Sequence, residues 1–141
     1  MPLIKEHDKS QIAKLFEPIL HDVRLVMFTQ ERECQFCEMT RQMTEEVAAL
    51  SPRVRAEIHD FIAEADLARQ YGIDKIPAIA VMGEADYRIR FYGIPAGYEF
   101  PALLEAVVDV GMRTPALPDP LLAEVQKIDQ PVHLQVMVTP T

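Results

Sequence analysis

The sequence has no tryptophan, only two cysteines and only five glycines in 141 residues. Two cysteines are too few for a disulfide scaffold. No apolar run approaches the roughly 20 residues a membrane span needs, which excludes a transmembrane helix. The opening Met1-Pro-Leu-Ile-Lys-Glu-His-Asp-Lys9 has no apolar core and no small-residue cleavage site. No secretory signal is therefore expected, and the expected compartment is cytoplasmic. Positive charge is also short. Fourteen Lys and Arg against 22 Asp and Glu leave a net charge of −8, which argues against a nucleic-acid surface. Hydrophobic residues at 49% and charged residues at 26% describe a globular chain, long enough for one ordinary domain with a little to spare.

The few glycines are unevenly placed. All five lie between Gly72 and Gly111, and the residues after Gly111 hold five prolines instead, three of them in Thr114-Pro-Ala-Leu-Pro-Asp-Pro120. That composition predicts a semi-rigid linker at about 112–119. Before it, helix and strand patterns alternate. Residues 8–17 predict a helix and Val23 to Thr29 a strand covered on both faces. Phe36, Met39, Met43, Val47 and Leu50 predict one helix stripe, and Val54 to Phe61 alternates with a strand period. Ala63 to Tyr71 reads as a helix capped by Gly72. Ala78 to Met82 and Tyr87 to Tyr92 read as a hairpin, and a last helix from Phe100 is expected to close at Gly111. The order α-β-α-β-α-β-β-α predicts an α/β fold, with a mixed central sheet and helices on both faces.

Cys34-Gln-Phe-Cys37 is the one constellation with obvious chemistry. It follows an apolar strand and opens an amphipathic helix, where unpaired N–H groups and the helix dipole stabilise a thiolate. A dithiol one helical turn apart can exchange with a substrate disulfide through a mixed disulfide. Buried structural cysteines and a static disulfide are the bland alternatives. Zinc is a third, but it needs two more ligands, and His7, His21, His59 and His133 are scattered singly, so no metal is expected. The neighbouring charges conflict: Arg32 should lower the thiol pKa, whereas Glu31, Glu33 and Glu38 should raise it. A second landmark is Ile73-Asp-Lys-Ile-Pro77, just ahead of a strand. Pro77 reads either as an edge marker or as a cis-proline packed against the dithiol. Cis geometry would expose the backbone of Ile76 to an extended substrate segment.

Strand, C-x-x-C, helix, then Ala68-Arg-Gln-Tyr-Gly-Ile73 and Ile76-Pro77 before a strand, resembles the thioredoxin-like superfamily. Cys34-Gln-Phe-Cys37, Ala56-Glu-Ile-His-Asp-Phe61 and Arg90-Phe-Tyr-Gly-Ile-Pro-Ala-Gly-Tyr-Glu-Phe100 are more closely similar to the two-unit, glutaredoxin-like protein disulfide oxidoreductases. The resemblance implies a thioredoxin fold, with Cys34 as attacking nucleophile, Cys37 as resolving thiol and Pro77 as the cis-proline. It implies no cofactor beyond the redox-active disulfide. The implied partners are protein disulfides or dithiols and a thioredoxin-reductase-like flavoprotein. Met27 and Phe28 stand where ordinary thioredoxins keep a buried aspartate. Glu57, on the neighbouring strand, is the candidate proton acceptor, with a solvent-facing strand residue as its plain alternative.

Pro131-Val-His-Leu-Gln-Val-Met-Val-Thr139 echoes Asp22-Val-Arg-Leu-Val-Met-Phe-Thr29, an internal repeat. Residues 1–111 are thus expected to be one redox unit, and 120–141 the first helix and strand of a second. In the family a second C-x-x-C would follow Thr141. A deliberately chosen end point, a gene truncation or an in-frame selenocysteine codon read as stop would each produce that ending, and the last is the working hypothesis. The orphan strand at 131–139 is expected to dock on the chain's own sheet or to form a homodimer. The leading function is dithiol–disulfide exchange on proteins. The alternatives are a docking or electron-relay module of a two-unit redox protein, or the N-terminal reductase module of a peroxide-reducing system.

Overall fold

The computed structural model describes residues 1–139. Its elements run α1 (Glu6–Phe16), β1 (Val23–Thr29), α2 (Cys37–Ala48), β2 (Val54–Asp60), α3 (Ala65–Gln70), β3 (Ala78–Met82), β4 (Ile89–Tyr92), α4 (Glu99–Met112) and α5 (Asp119–Gln126). The sheet order is β2-β1-β3-β4. β1 and β2 are parallel, from Val23 opposite Val54 to Thr29 opposite Asp60, and β1–β3 and β3–β4 are antiparallel.

Alternation along the strands divides the core in two. Val23, Leu25, Met27, Ile79 and Val81 face α1, α2 and α4, meeting Phe16, Val47, Leu103 and Val107. Val26, Phe28, Ala78 and Ala80 face the other way, against Ala68 of α3 and Ile73. The expected mixed sheet with helices on both faces is therefore present, and central β1 is covered on both sides.

Two local expectations change and one holds. The buried face of α2 is Cys37, Thr40, Met43, Thr44, Val47 and Ala48, while Phe36 and Met39 of the expected stripe are exposed. Threonines can line that face because their hydroxyls are satisfied within the helix: Thr40 Oγ1 donates to Phe36 O at 2.7 Å and Thr44 Oγ1 to Thr40 O at 2.8 Å. Gly72 follows α3 in the left-handed region (φ 68°), as a helix-ending glycine should. Gly111 does not end α4. The helix continues to Met112, Arg113 takes the left-handed cap, and Gly111 is buried where α4 crosses Ile19 and Val23.

Residues 113–118 between α4 and α5 are neither helix nor strand, and α5 has no buried residue. The segment expected to be a strand does not join the sheet. Val132, Leu134, Val136 and Val138 remain exposed, and all four strands of the sheet come from residues 23–92. Docking on the chain's own sheet is thereby corrected. Among the described residues no strand pairing joins this segment to either edge of the sheet.

Candidate functional site

The cysteine pair sits where β1 gives way to α2. Glu33 adopts a left-handed turn (φ 56°), and α2 begins at Cys37 rather than at Cys34. Cys34 and Cys37 are joined as a disulfide, with an S–S distance of 1.94 Å and Cα atoms 5.4 Å apart. Phe36, the residue ahead of the helix, has no side-chain cap, but its carbonyl accepts from both the amide and the hydroxyl of Thr40, at 2.9 and 2.7 Å. The buried face of α2 thus anchors the loop that carries the pair.

The two sulfurs are not equivalent. Cys37 is 2% exposed, whereas Cys34 is partly exposed and opens into a depression of about 400 Å³. Glu31, Glu38, Asp60, Glu64 and Arg41 line that depression with Cys34. Arg41 is itself paired with Glu45 at 3.0 Å. Arg32, expected to favour a thiolate, lines an adjoining depression that shares Gln30, Glu31 and Asp60 with the one at Cys34. Four carboxylates, Glu31, Glu38, Asp60 and Glu64, and one cation, Arg41, thus line the depression at Cys34. A larger depression of about 460 Å³ lies elsewhere, among Leu3, Ile12, Met43, Phe100 and Leu104, without a cysteine.

Pro77 follows a cis peptide bond from Ile76. Its carbonyl accepts from Gly93 N–H at 2.9 Å, which ties the start of β3 to the end of β4. Ala78 lies opposite Phe28 near the end of β1 from which the Cys34 loop departs. Among the described residues the N–H and C=O of Ile76 make no hydrogen bond.

Glu57 is placed differently from the sulfurs. It lies opposite Val26, whose side chain belongs to the α3 side of the sheet, while α2 packs on the other side. Arg24 grips it in bidentate fashion (Nε–Oε1 2.7 Å, Nη2–Oε2 3.0 Å), and Arg24 also donates to Tyr71 Oη at 3.4 Å. The Arg24 hydrogen bonds hold the Glu57 carboxyl below the ordinary carboxylate range despite partial burial. Such a group gives up a proton readily and accepts one poorly.

Three participants were not singled out from the sequence: Asp60, Glu64 and His59. Their signal was the Asp-x-x-x-Glu spacing at the end of a strand pattern. Asp60 Oδ1 accepts the amides of Ile62 and Ala63 at 2.9 and 2.7 Å, and Glu64 Oε2 accepts the amide of Asp60 at 3.1 Å. The turn between β2 and α3 therefore delivers both carboxylates to the depression. Among the described residues no group of three or more His, Cys, Asp or Glu is placed to hold a metal. No helix of the described residues is long and apolar enough to cross a membrane.

A β-α-β start, a parallel β1–β2 pair, an antiparallel β3–β4 hairpin and a C-x-x-C disulfide ahead of α2 define a thioredoxin-like α/β fold. Solved structures agree. A protein disulfide oxidoreductase from Aeropyrum pernix K1 superposes with TM-score 0.76 at 19% identity, over 87% of this chain and 54% of that one. An alkylhydroperoxide reductase from Enterococcus faecalis gives TM-score 0.77 at 25% identity, over 88% of this chain and 60% of that one. The NTD_N/C domain of the same reductase gives 0.76 at 25%, over 86% and 59%. The chain thus spans little more than half the length of these structures. No family model and no curated protein sequence matches it.

Proposed function

We propose that this chain is a protein dithiol–disulfide oxidoreductase in which Cys34 attacks and Cys37 resolves. The observation that carries this reading is the asymmetry of the pair: one sulfur opens into a depression and the other is 2% exposed. In the reduced protein the Cys34 thiolate attacks one sulfur of a substrate disulfide. A mixed disulfide forms, and the substrate's other sulfur leaves as a thiolate that takes up a proton. Cys37 then loses its proton and attacks Cys34 Sγ. The intramolecular disulfide re-forms and the second substrate sulfur leaves. The substrate emerges with two thiols, and the protein has lost two electrons. The redox-active disulfide is the only prosthetic chemistry required.

The free backbone groups of Ile76, next to Pro77, support docking of an extended substrate segment by strand-like pairing. Proton acceptance from Cys37 is not assigned to Glu57, because Arg24 already engages both of its oxygens. Re-reduction is proposed to come from a thioredoxin-reductase-like flavoprotein, in a reducing compartment such as the cytoplasm. Cys37→Ser is expected to accumulate substrates as mixed disulfides on Cys34, and Cys34→Ser to accumulate none. Equal trapping by both, read by mass spectrometry of non-reduced complexes, rejects the assignment.

A second reading is favoured by the similarity to the alkylhydroperoxide reductase domain: a relay or N-terminal reductase module that passes electrons to a peroxide-reducing partner. Turnover with a flavin-dependent disulfide reductase and a peroxiredoxin, lost on Cys34→Ser, distinguishes it. Residues 120–141 are proposed as the opening of a second unit. The echo of Asp22–Thr29 in 131–139 and the greater length of the structural neighbours support this. The exposed apolar residues of 132–138 support homodimer formation through this segment, and a strictly monomeric sedimentation profile overturns it.

A further inference from the structure

We propose that His59 is a positioning residue of the redox site, whose hydrogen bond to Glu64 sets the charge of the depression at Cys34 and so couples thiol reactivity to imidazole protonation. The inference rests on the reading of Cys34 as the attacking sulfur. It begins from β2, where His59 lies directly opposite Phe28. The imidazole stacks on the Phe28 ring, with centroids 5.5 Å apart and planes at 29°. Its Nδ1 is 2.9 Å from Glu64 Oε1, and its Nε2 is 3.9 Å from Glu57 Oε2. Stacking fixes the ring, and with it the direction of both nitrogens.

The groups facing the imidazole are known from each side. Its own strand supplies Glu57, held by Arg24 of β1. The turn ahead of α3 supplies Glu64, together with Asp60. The end of α3 supplies Tyr71, which contacts Arg24 and packs on Phe28 at 6.0 Å. The imidazole thus stands between two carboxylates, one of which lines the depression with Cys34. Glu64 is held below the ordinary carboxylate range by the His59 hydrogen bond, so its negative charge persists.

Histidine is the side chain whose charge changes near neutrality. When His59 is protonated it cancels the charge of Glu64, and the depression tolerates a thiolate at Cys34. When His59 loses its proton, Glu64 joins Glu31, Glu38 and Asp60 with Arg41, itself paired with Glu45, as the one cation lining the depression, and a further anion is disfavoured there. The link is reciprocal: a thiolate at Cys34 favours the protonated imidazole.

The test is the rate of Cys34 alkylation by iodoacetamide in the fully reduced protein, from about pH 5 to about pH 9, where histidine changes charge. The buried Cys37 reacts too slowly to interfere. The wild-type profile should show an inflection that coincides with the His59 titration followed by NMR. His59→Gln should remove the inflection and slow alkylation at neutral pH by about threefold, the scale of one unit charge across a solvated pocket. Glu64→Gln should act in the opposite direction and speed it by a similar factor. A purely structural role for the pair would move both variants the same way. Profiles that superpose on wild type, or shifts of the same sign, overturn the proposal. Because Glu64 is only half-buried, Glu64→Gln carries the test even if His59→Gln perturbs folding. Alkylation needs no substrate protein, so its outcome is separate from the trapping experiment on Cys34 and Cys37.

Discussion

Gly111→Ala is expected to destabilise the protein although it replaces glycine inside a helix. Built on the observed backbone, the new β-carbon would lie 2.5 Å from Ile19 Cγ2 and 3.1 Å from both Ile19 Cγ1 and Val23 Cγ2. Ile19 is 5% exposed and Val23 wholly covered, so neither can swing into solvent. Backbone retreat is also resisted, because the Gly111 carbonyl accepts the amides of Leu20 and His21 at 3.3 and 3.0 Å. Overpacking of this kind costs about 1–3 kcal/mol. The better helix propensity of alanine returns up to ~1 kcal/mol. A net loss of about 1–2 kcal/mol should lower the melting temperature by roughly 3–8 °C in a domain of this size. Thermal melts and urea titrations would measure it, with Ile19→Leu as the companion background. Leucine has no branch at the β-carbon and so lacks the clashing methyl, and the swap conserves volume, so its own cost should stay below about 1.5 kcal/mol. In that background Gly111→Ala should become less costly by at least ~1 kcal/mol. Equal costs in the two backgrounds, or a stabilised single variant, refute the close-packing account of this glycine.

Glu57→Gln tests the Arg24 pair through pH. The folded-state pKa of Glu57 lies below its ordinary value of 4.5. Its contribution should therefore be fully present above that value and be lost as pH falls through the folded-state pKa. Urea midpoints of wild type and variant should differ at neutral pH and converge in acid, and a gap independent of pH rejects the pair as its source. A chain ending at Pro118 keeps the Ala116 amide that donates to the Asp109 carboxylate, and α5, which it loses, has no buried residue. Its melting temperature and Cys34 alkylation rate should match those of the full chain, with self-association abolished; a fall of several degrees would show that residues 119–141 brace the fold.

The sequence by itself determined the order of elements as far as α5, because hydrophobic periods of 2 and 3.6 and the stop at Gly72 are local properties. It also placed the cysteine pair, because spacing and position between a strand and a helix are local too. Tertiary structure decided the rest, for reasons that lie in partners far apart in the chain. Gly111 reads as a helix stop until Ile19, distant in sequence, is seen beneath it. The α2 stripe was displaced because Thr40 and Thr44 satisfy their hydroxyls inside the helix and can turn inward, which composition does not announce. Glu57 looked free to take a proton until the sheet register brought Arg24 beside it. The charges next to Cys34 in sequence proved only half of its surroundings. Asp60 and Glu64 reach it from the end of β2, and Arg41 from α2. Local patterns placed the sulfurs; the field around them comes from chain segments that only folding brings together.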